Sequence, residues 1–192
     1  MNILLACYKS STLIKAITAN GHNVESCDML PAEHKFLHHQ KDLRELSLVK
    51  YDFVFAFPPC TYLCKAQYSL HPSQPERKKL TMSAAEFVKW IIQNSPNSYA
   101  IENPIGYLPK VIGNPQQIVR PFFFGDPYSK DICLWLKNCP PLMSTCINPV
   151  RKSISNHVNG RMSQAEKSNI RSSWNYFPGM CNAIASQWFP KV

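Results

Sequence analysis

The sequence predicts an α/β protein, a doubly wound, mostly parallel β-sheet with helices on both faces. Two observations carry the prediction. Short apolar runs recur along the chain and close on polar or proline-rich turns, as at residues 3–7 and 52–57. Between them lie segments with helix starts, helix stops and apolar residues at helical spacing. Strands that alternate with helices favour a parallel sheet, because each helix carries the chain back to begin the next strand in the same direction.

Residues 3–7, Ile-Leu-Leu-Ala-Cys, read as a buried strand. Ser11 or Thr12 then caps a helix that carries Leu13, Ile14 and Ile17 and stops at Asn20-Gly21. Residues 23–27 form a weaker strand closed by Asp28, and residues 52–57 a strong one. Ser83-Ala-Ala-Glu86 reads as a capping box opening a helix with Phe87, Trp90 and Ile91 on one face. Residues 99–101 and 132–136 are further strands, Ser163-Gln-Ala-Glu166 is a second capping box, and a last helix covers about 179–187. The 192 residues suit one domain with a basic insert around 147–162.

Composition narrows the class. Hydrophobic residues make up 45% and aromatics 11%, which suits a globular core, and no apolar run approaches the ~20 residues of a membrane span. The expected setting is soluble and cytoplasmic. The eight cysteines lack the paired spacing of a zinc set, and Cys7, Cys27 and Cys133 fall in apolar runs. They read as reduced thiols, with no metal site. Net charge is +9. From Ile132 onward Glu166 is the sole acid, against seven lysines and arginines, and Arg77-Lys78-Lys79 forms a second basic knot. Such a surplus suits a nucleic acid or nucleotide partner.

Ligands of open α/β sheets sit beyond the carboxyl ends of the strands. Four polar sites fall there. They are the turn from Tyr8 to Thr12 after the first strand, Asp28 after the second, Pro59-Cys60 after the strand at 52–57, and Glu102-Asn103-Pro104 after the strand at 99–101. An acid about twenty residues past the first turn suits the ribose hydroxyls of an adenosine-type cofactor.

The order of these motifs resembles the cytosine-C5 DNA methyltransferases, and more closely short phage and prophage proteins related to them. The resemblance lies in ACYKSS, GHNVESCDMLPAE, DFVFAFPPCTYLC, IENPIGYL, FFFGDPYSKDICLWLKNCPPL and FPGMCNAIASQW. It implies a Rossmann-like, S-adenosylmethionine-dependent methyltransferase in a bacterial or phage-infected cell. Cys60 would be the nucleophile on its Pro59 mount, and Glu102 the acid that contacts the cytosine ring. Asn103 would brace the loop. The cofactor would be held by Ala6, Cys7, Tyr8, Lys9, Ser10 and Ser11 of the first turn, by Asp28, Met29 and Asp42, and by Pro58. Lys9 would meet the cofactor's carboxylate. Pro178-Gly179 and the helix after them would pack back toward the first turn.

The chemistry accounts for those residue types. A thiolate adding to carbon 6 of cytosine turns carbon 5 into an enamine carbon able to attack a methyl donor. A carboxylic acid at ring nitrogen 3 assists by giving its proton. A target in duplex DNA must first be flipped out. Amino-methyltransferases, which place an acid or polar residue before Pro-Pro and an aromatic after it, fit Phe57-Pro58-Pro59-Cys60 poorly.

The pattern departs from that family in three places. The first turn, Lys9-Ser10-Ser11-Thr12, holds no glycine. About thirty residues stand where full-length members carry a target-recognition region, so the expected substrate is DNA, read with low specificity or with specificity supplied by another chain, or a free cytidine nucleotide. No Gln-x-Arg-x-Arg element is present, which leaves Lys130, Arg120, Arg161 or Arg171 to meet substrate phosphate. These departures keep open an alternative, a non-catalytic or repurposed nucleotide- or nucleic-acid-binding protein on the same fold.

Overall fold

The computed structural model describes residues 1–65, 70, 73–149 and 174–192. The Ser163 capping box, Arg161, Arg171 and most of the basic insert lie outside the described residues.

Seven strands form one sheet. In chain order they are β1 (Asn2–Ala6), β2 (Asn23–Asp28), β3 (His38–Gln40), β4 (Phe53–Ala56), β5 (Tyr99–Pro104), β6 (Gln117–Val119) and β7 (Ile132–Lys137). Their order across the sheet is β3-β2-β1-β4-β5-β7-β6. The first five run parallel, and β7 is antiparallel to both β5 and β6. The chain steps outward from β1 to β3, then returns to lay β4 on the other side of β1. That reversal opens a crevice at the carboxyl ends of β1 and β4, where open α/β sheets bind ligands.

Among the described residues, four α-helices accompany the sheet: α1 (Thr12–Ala19), α2 (Pro75–Asn94), α3 (Pro109–Ile112) and α4 (Pro178–Trp188). Strand alternation decides which face each one covers. Ile3, Leu5, Phe53 and Phe55 point to the side of α1 and α4, while Leu4, Ala6, Val54 and Ala56 point to the side of α2. Both faces are therefore buried, and the continuous apolar runs of β1 and β4 follow from that.

Several expectations are corrected. Ser83 does not open a helix. It is exposed inside α2, which starts eight residues earlier, at Pro75. Proline at the first helical position needs no hydrogen-bond partner for its nitrogen, so it sets the start, and the Ser-x-x-Glu spacing is incidental. The buried stripe of α2 is Thr81, Ala85, Val88 and Ile91, with Phe87 and Trp90 only partly covered. Neither Ser11 nor Thr12 caps α1 with its own side chain. Ser11 holds the cap position but bonds no helix donor there. The side chain of Asn175 takes that role from the far end of the chain. Glu102, Asn103 and Pro104 do not follow a strand but lie in the second half of β5, opposite Leu134, Cys133 and Ile132.

Candidate active site

β4 delivers the cysteine loop. Phe57 and then Pro58 and Pro59 follow it, and each proline ring holds its φ near −65°. The side-chain amide of Asn103 donates to the Pro58 carbonyl at 2.9 Å. The Cys60 carbonyl accepts from the backbone of Leu63 and Cys64 at 3.0 Å, so the chain turns tightly at the thiol. The next residues pair with the segment after β5: Tyr107 N–H reaches Leu63 O at 2.7 Å, and Lys65 N–H reaches Ile105 O at 3.2 Å. Gly106 makes this approach possible, since a Cβ there would stand 1.9 Å from Leu63 O. The Thr81 hydroxyl donates to Tyr62 O at 2.8 Å and ties the same loop to α2.

Glu102 and Asn103 are buried, and Glu102 Oε1 and Asn103 Oδ1 have no hydrogen-bond partner. Lys130 Nζ stands 3.8 Å from Glu102 Oε1, an ion-pair distance too long for a hydrogen bond, and 5.7 Å from the centre of the Phe177 ring. Burial raises the Glu102 pKa above its ordinary value, and Lys130 offsets only part of that shift. Cys60 lies at the surface, yet its thiol is pushed up, first by desolvation and next by the Glu102 charge, while Lys130 pulls it down. Cys60, Glu102 and Lys130 thus act on one another electrostatically. Lys130, expected among phosphate-binding cations, is instead mostly covered and turned toward Glu102.

A cleft of about 370 Å³ opens beside this loop. Cys7, Asp28, Met29, Asp42 and Pro59 of the expected residues line it, joined by Leu30, Leu43, Arg44 and Phe87. Asp28 accepts from Leu30 N–H at 2.9 Å. Asp42 is gripped by Arg44 at 2.6 Å, which holds its carboxyl below the usual range. Two acids with apolar walls are a lining that could hold a ribose and an adenine ring. Cys27 is pushed up to about 11 by burial and by Asp28, so it stays a thiol in the wall.

The remaining residues of the first turn do not reach the cleft. Ala6 is buried at the end of β1. Cys7 takes φ +55°, a conformation that glycine adopts freely and other residues rarely. Tyr8 is buried, accepts from Leu13 N–H at 3.2 Å and packs on Phe57. Ser10 is buried too. Lys9 is held by Glu33 at 2.5 Å, so the cation expected at the cofactor's carboxylate is already paired. Ser11 N–H and Thr12 N–H both donate to Asn175 Oδ1, at 2.9 and 3.1 Å, and Asn175 in turn donates to Glu33 at 2.8 Å.

Sequence reasoning missed Glu33, Arg44, Phe87, Asp126 and Asn175. For Asp126 a signal existed. α4 begins at Pro178 with no Ser, Thr, Asp or Asn before it, so a cap had to come from elsewhere. Asp126 supplies it, accepting from Gly179 N–H at 2.8 Å and Met180 N–H at 2.7 Å. All eight cysteines are free, and among the described residues no cluster of His, Cys, Asp or Glu could hold a metal ion. No helix among the described residues is long and apolar enough to cross a membrane.

Comparison with solved structures bears on the fold. EhMeth, a methyltransferase of Entamoeba histolytica, superposes with a TM-score of 0.52 at 16% identity, over 86% of this chain and 62% of that one. The chain shares the Rossmann-like, mostly parallel α/β fold of that structure. A candidate DNA modification methyltransferase encoded within a prophage, from E. coli, also matches, with a TM-score of 0.47 at 16% identity over 79% of this chain and 53% of that one. So does the Dnmt2 methyltransferase of S. pombe, with a TM-score of 0.44 at 16% identity over 71% and 48%. The chain thus spans roughly half to three-fifths of the length of these proteins. No family model matches the chain, and no curated protein does either.

Proposed function

We propose that the chain is an S-adenosylmethionine-dependent methyltransferase acting on carbon 5 of cytosine, in DNA or in a cytidine nucleotide. One observation carries this reading. A surface thiol, a buried carboxyl with an unpartnered oxygen, and a lysine act on one another beside Pro59, which also lines the cleft.

Asp28, Met29 and Asp42 would hold the adenosine of S-adenosylmethionine, which would supply an electrophilic methyl group. The rest falls to the chain's own residues. Burial keeps Glu102 protonated to higher pH than an exposed carboxyl, so it has a proton to give. The Cys60 thiol releases its proton to water, assisted by the Lys130 charge. Its sulfur bonds to carbon 6 of the ring as Glu102 protonates nitrogen 3, and the displaced electron pair leaves carbon 5 nucleophilic. An incoming base also gives Glu102 Oε1 the hydrogen-bond partner it lacks, since the exocyclic amine of cytosine is a donor.

Incubation with labelled S-adenosylmethionine and either DNA or deoxycytidine nucleotides tests the reading. The expected result is label on cytosine. No transfer to either substrate, with the cofactor shown to bind, would overturn it.

The pairing of Lys9 with Glu33 and of Asn175 with the head of α1 favours a second reading, a nucleotide-binding protein without methyl transfer. Calorimetric titration with S-adenosylmethionine separates the two, because tight binding argues against this rival.

A further inference from the structure

A second cleft, of about 420 Å³, lies on the other side of Arg44 and Phe87 from the first. Arg44, Phe87 and Pro59 line both clefts and form the wall between them. The second is completed mainly by Tyr62, Ser83 and Trp90. We infer that this cleft is a stacking subsite for a nucleobase adjacent to the reacting cytosine, so that the substrate is a nucleic-acid strand and not a free nucleotide. The inference rests on the cytosine reading above for its register along the strand.

Three features carry it. The first is chemistry. Three aromatic side chains meet in one small cleft, and the rings of Phe87 and Trp90 are nearly parallel, 6° apart with centres 6.2 Å apart. The Arg44 guanidinium stands 5.6 Å from the centre of the Phe87 ring. Aromatic rings and guanidinium planes are the surfaces on which bases stack, whatever their sequence. The volume suits a ligand the size of one nucleotide.

The second feature is position. Pro59 directly precedes Cys60, Tyr62 follows it by two residues, and the Thr81 hydroxyl fixes Tyr62 O to α2. The cleft is therefore locked to the nucleophile loop and sits next to the reacting base. A free nucleotide ends at that base and leaves the cleft empty, whereas a strand continues into it.

The third feature is charge. Arg77, Lys78 and Lys79 lie on the first turns of α2, three cations against Glu76, which Lys79 contacts at 3.2 Å, and Lys79 shares the face of Ser83, one turn away. Glu86, the acid on this wall, is tied to Lys89 at 2.8 Å. The helix thus offers cations to a phosphate backbone leading into the cleft.

The test measures affinity for a short single-stranded DNA with one cytosine, for the same strand lacking the base on either side of that cytosine, for deoxycytidine monophosphate and for S-adenosylmethionine. The proteins are wild type, Trp90→Ala and Ser83→Glu. Ser83 is an exposed helical position, so its variant folds even if Trp90→Ala does not. The strand is expected to bind at least about tenfold tighter than the mononucleotide, and removal of one neighbouring base to cancel about that factor. Both variants should weaken strand binding about tenfold and leave the other two ligands within about twofold. Unchanged strand affinity in both variants overturns the inference, as does equal weakening of S-adenosylmethionine, which would make the cleft part of the cofactor site. Cytosine methylation with strand affinity unchanged in the variants would keep the reaction and remove the subsite. Strand binding that depends on Ser83 and Trp90 without methyl transfer would keep the subsite and remove the reaction.

Discussion

The head of α1 and the Cys60 loop lie along the same edge of the sheet but handle their polar groups differently. At α1, Lys9, Glu33, Asn175, Ser11 and Thr12 bond to one another in a closed chain. At the Cys60 loop, consecutive residues of β5 each bury an oxygen with no hydrogen-bond partner, and both Glu102 and Cys60 are shifted upward. A buried polar atom without a partner costs about 1–3 kcal/mol. The first region therefore stabilises the fold, while the second carries a cost that a bound ligand could remove. Perturbed groups of this kind gather at functional sites.

Four substitutions break or sharpen that contrast. Cys60→Ser should lower methyl transfer by at least about ten-thousandfold and leave the circular dichroism spectrum unchanged, because the serine hydroxyl does not ionise at neutral pH. A variant that keeps its rate would remove Cys60 from the chemistry.

Glu102→Gln should slow transfer about a thousandfold, since the amide has no proton to give. The same change should stabilise the fold by about 1 kcal/mol at pH 8 in urea titrations. The sign follows from the raised pKa. The folded carboxyl holds its proton above the ordinary value of 4.5, so its contribution favours the fold below that pH and is lost as pH rises through the folded pKa. At pH 8 the unfolded carboxyl is ionised, and placing it in the buried site is a net cost, which glutamine lacks. A less stable Gln variant at pH 8 would mean that the Lys130 pair outweighs burial.

Gly106→Ala should cost about a hundredfold in rate, because its Cβ would meet a backbone oxygen and push the Leu63 segment away from the β5 segment. If the rate holds, the pairing of the two loops does not position Cys60. The smallest effect is expected at the closed region. Asn175→Ala should lower stability by about 1 kcal/mol through the lost helix cap, read from the urea midpoint. A larger fall in turnover than in stability would show that the first turn also serves the reaction.

Much of the central sheet was legible. The apolar runs of β1 and β4 are buried on both faces, and such runs announce themselves without help from distant residues. β3 and β6 were not legible. His38–Gln40 and Gln117–Val119 are three residues each, at the sheet edges, too short to carry a period to read. The candidate nucleophile and acid stood out as short motifs, although Glu102 lies within β5 and not after it, and Asp28, Met29 and Asp42 line one cleft with Pro59. Asn175 and Asp126 escaped notice because each caps a helix more than fifty residues away. The Ser83 pattern misled because local spacing cannot reveal that a helix has already begun.

The sequence by itself determined which runs would be buried and that two prolines would fix the chain just before Cys60. Apolar pattern and proline geometry are local properties and act wherever the chain goes. The tertiary structure alone decided that β4 and β5 would be neighbours, which brings Glu102 within electrostatic reach of Cys60. It alone turned Lys130 toward Glu102 and bound Lys9 to Glu33. The reason is physical. Burial and charge pairing depend on which distant segments meet, and both the shift of a carboxyl pKa and the availability of a lysine follow from that meeting.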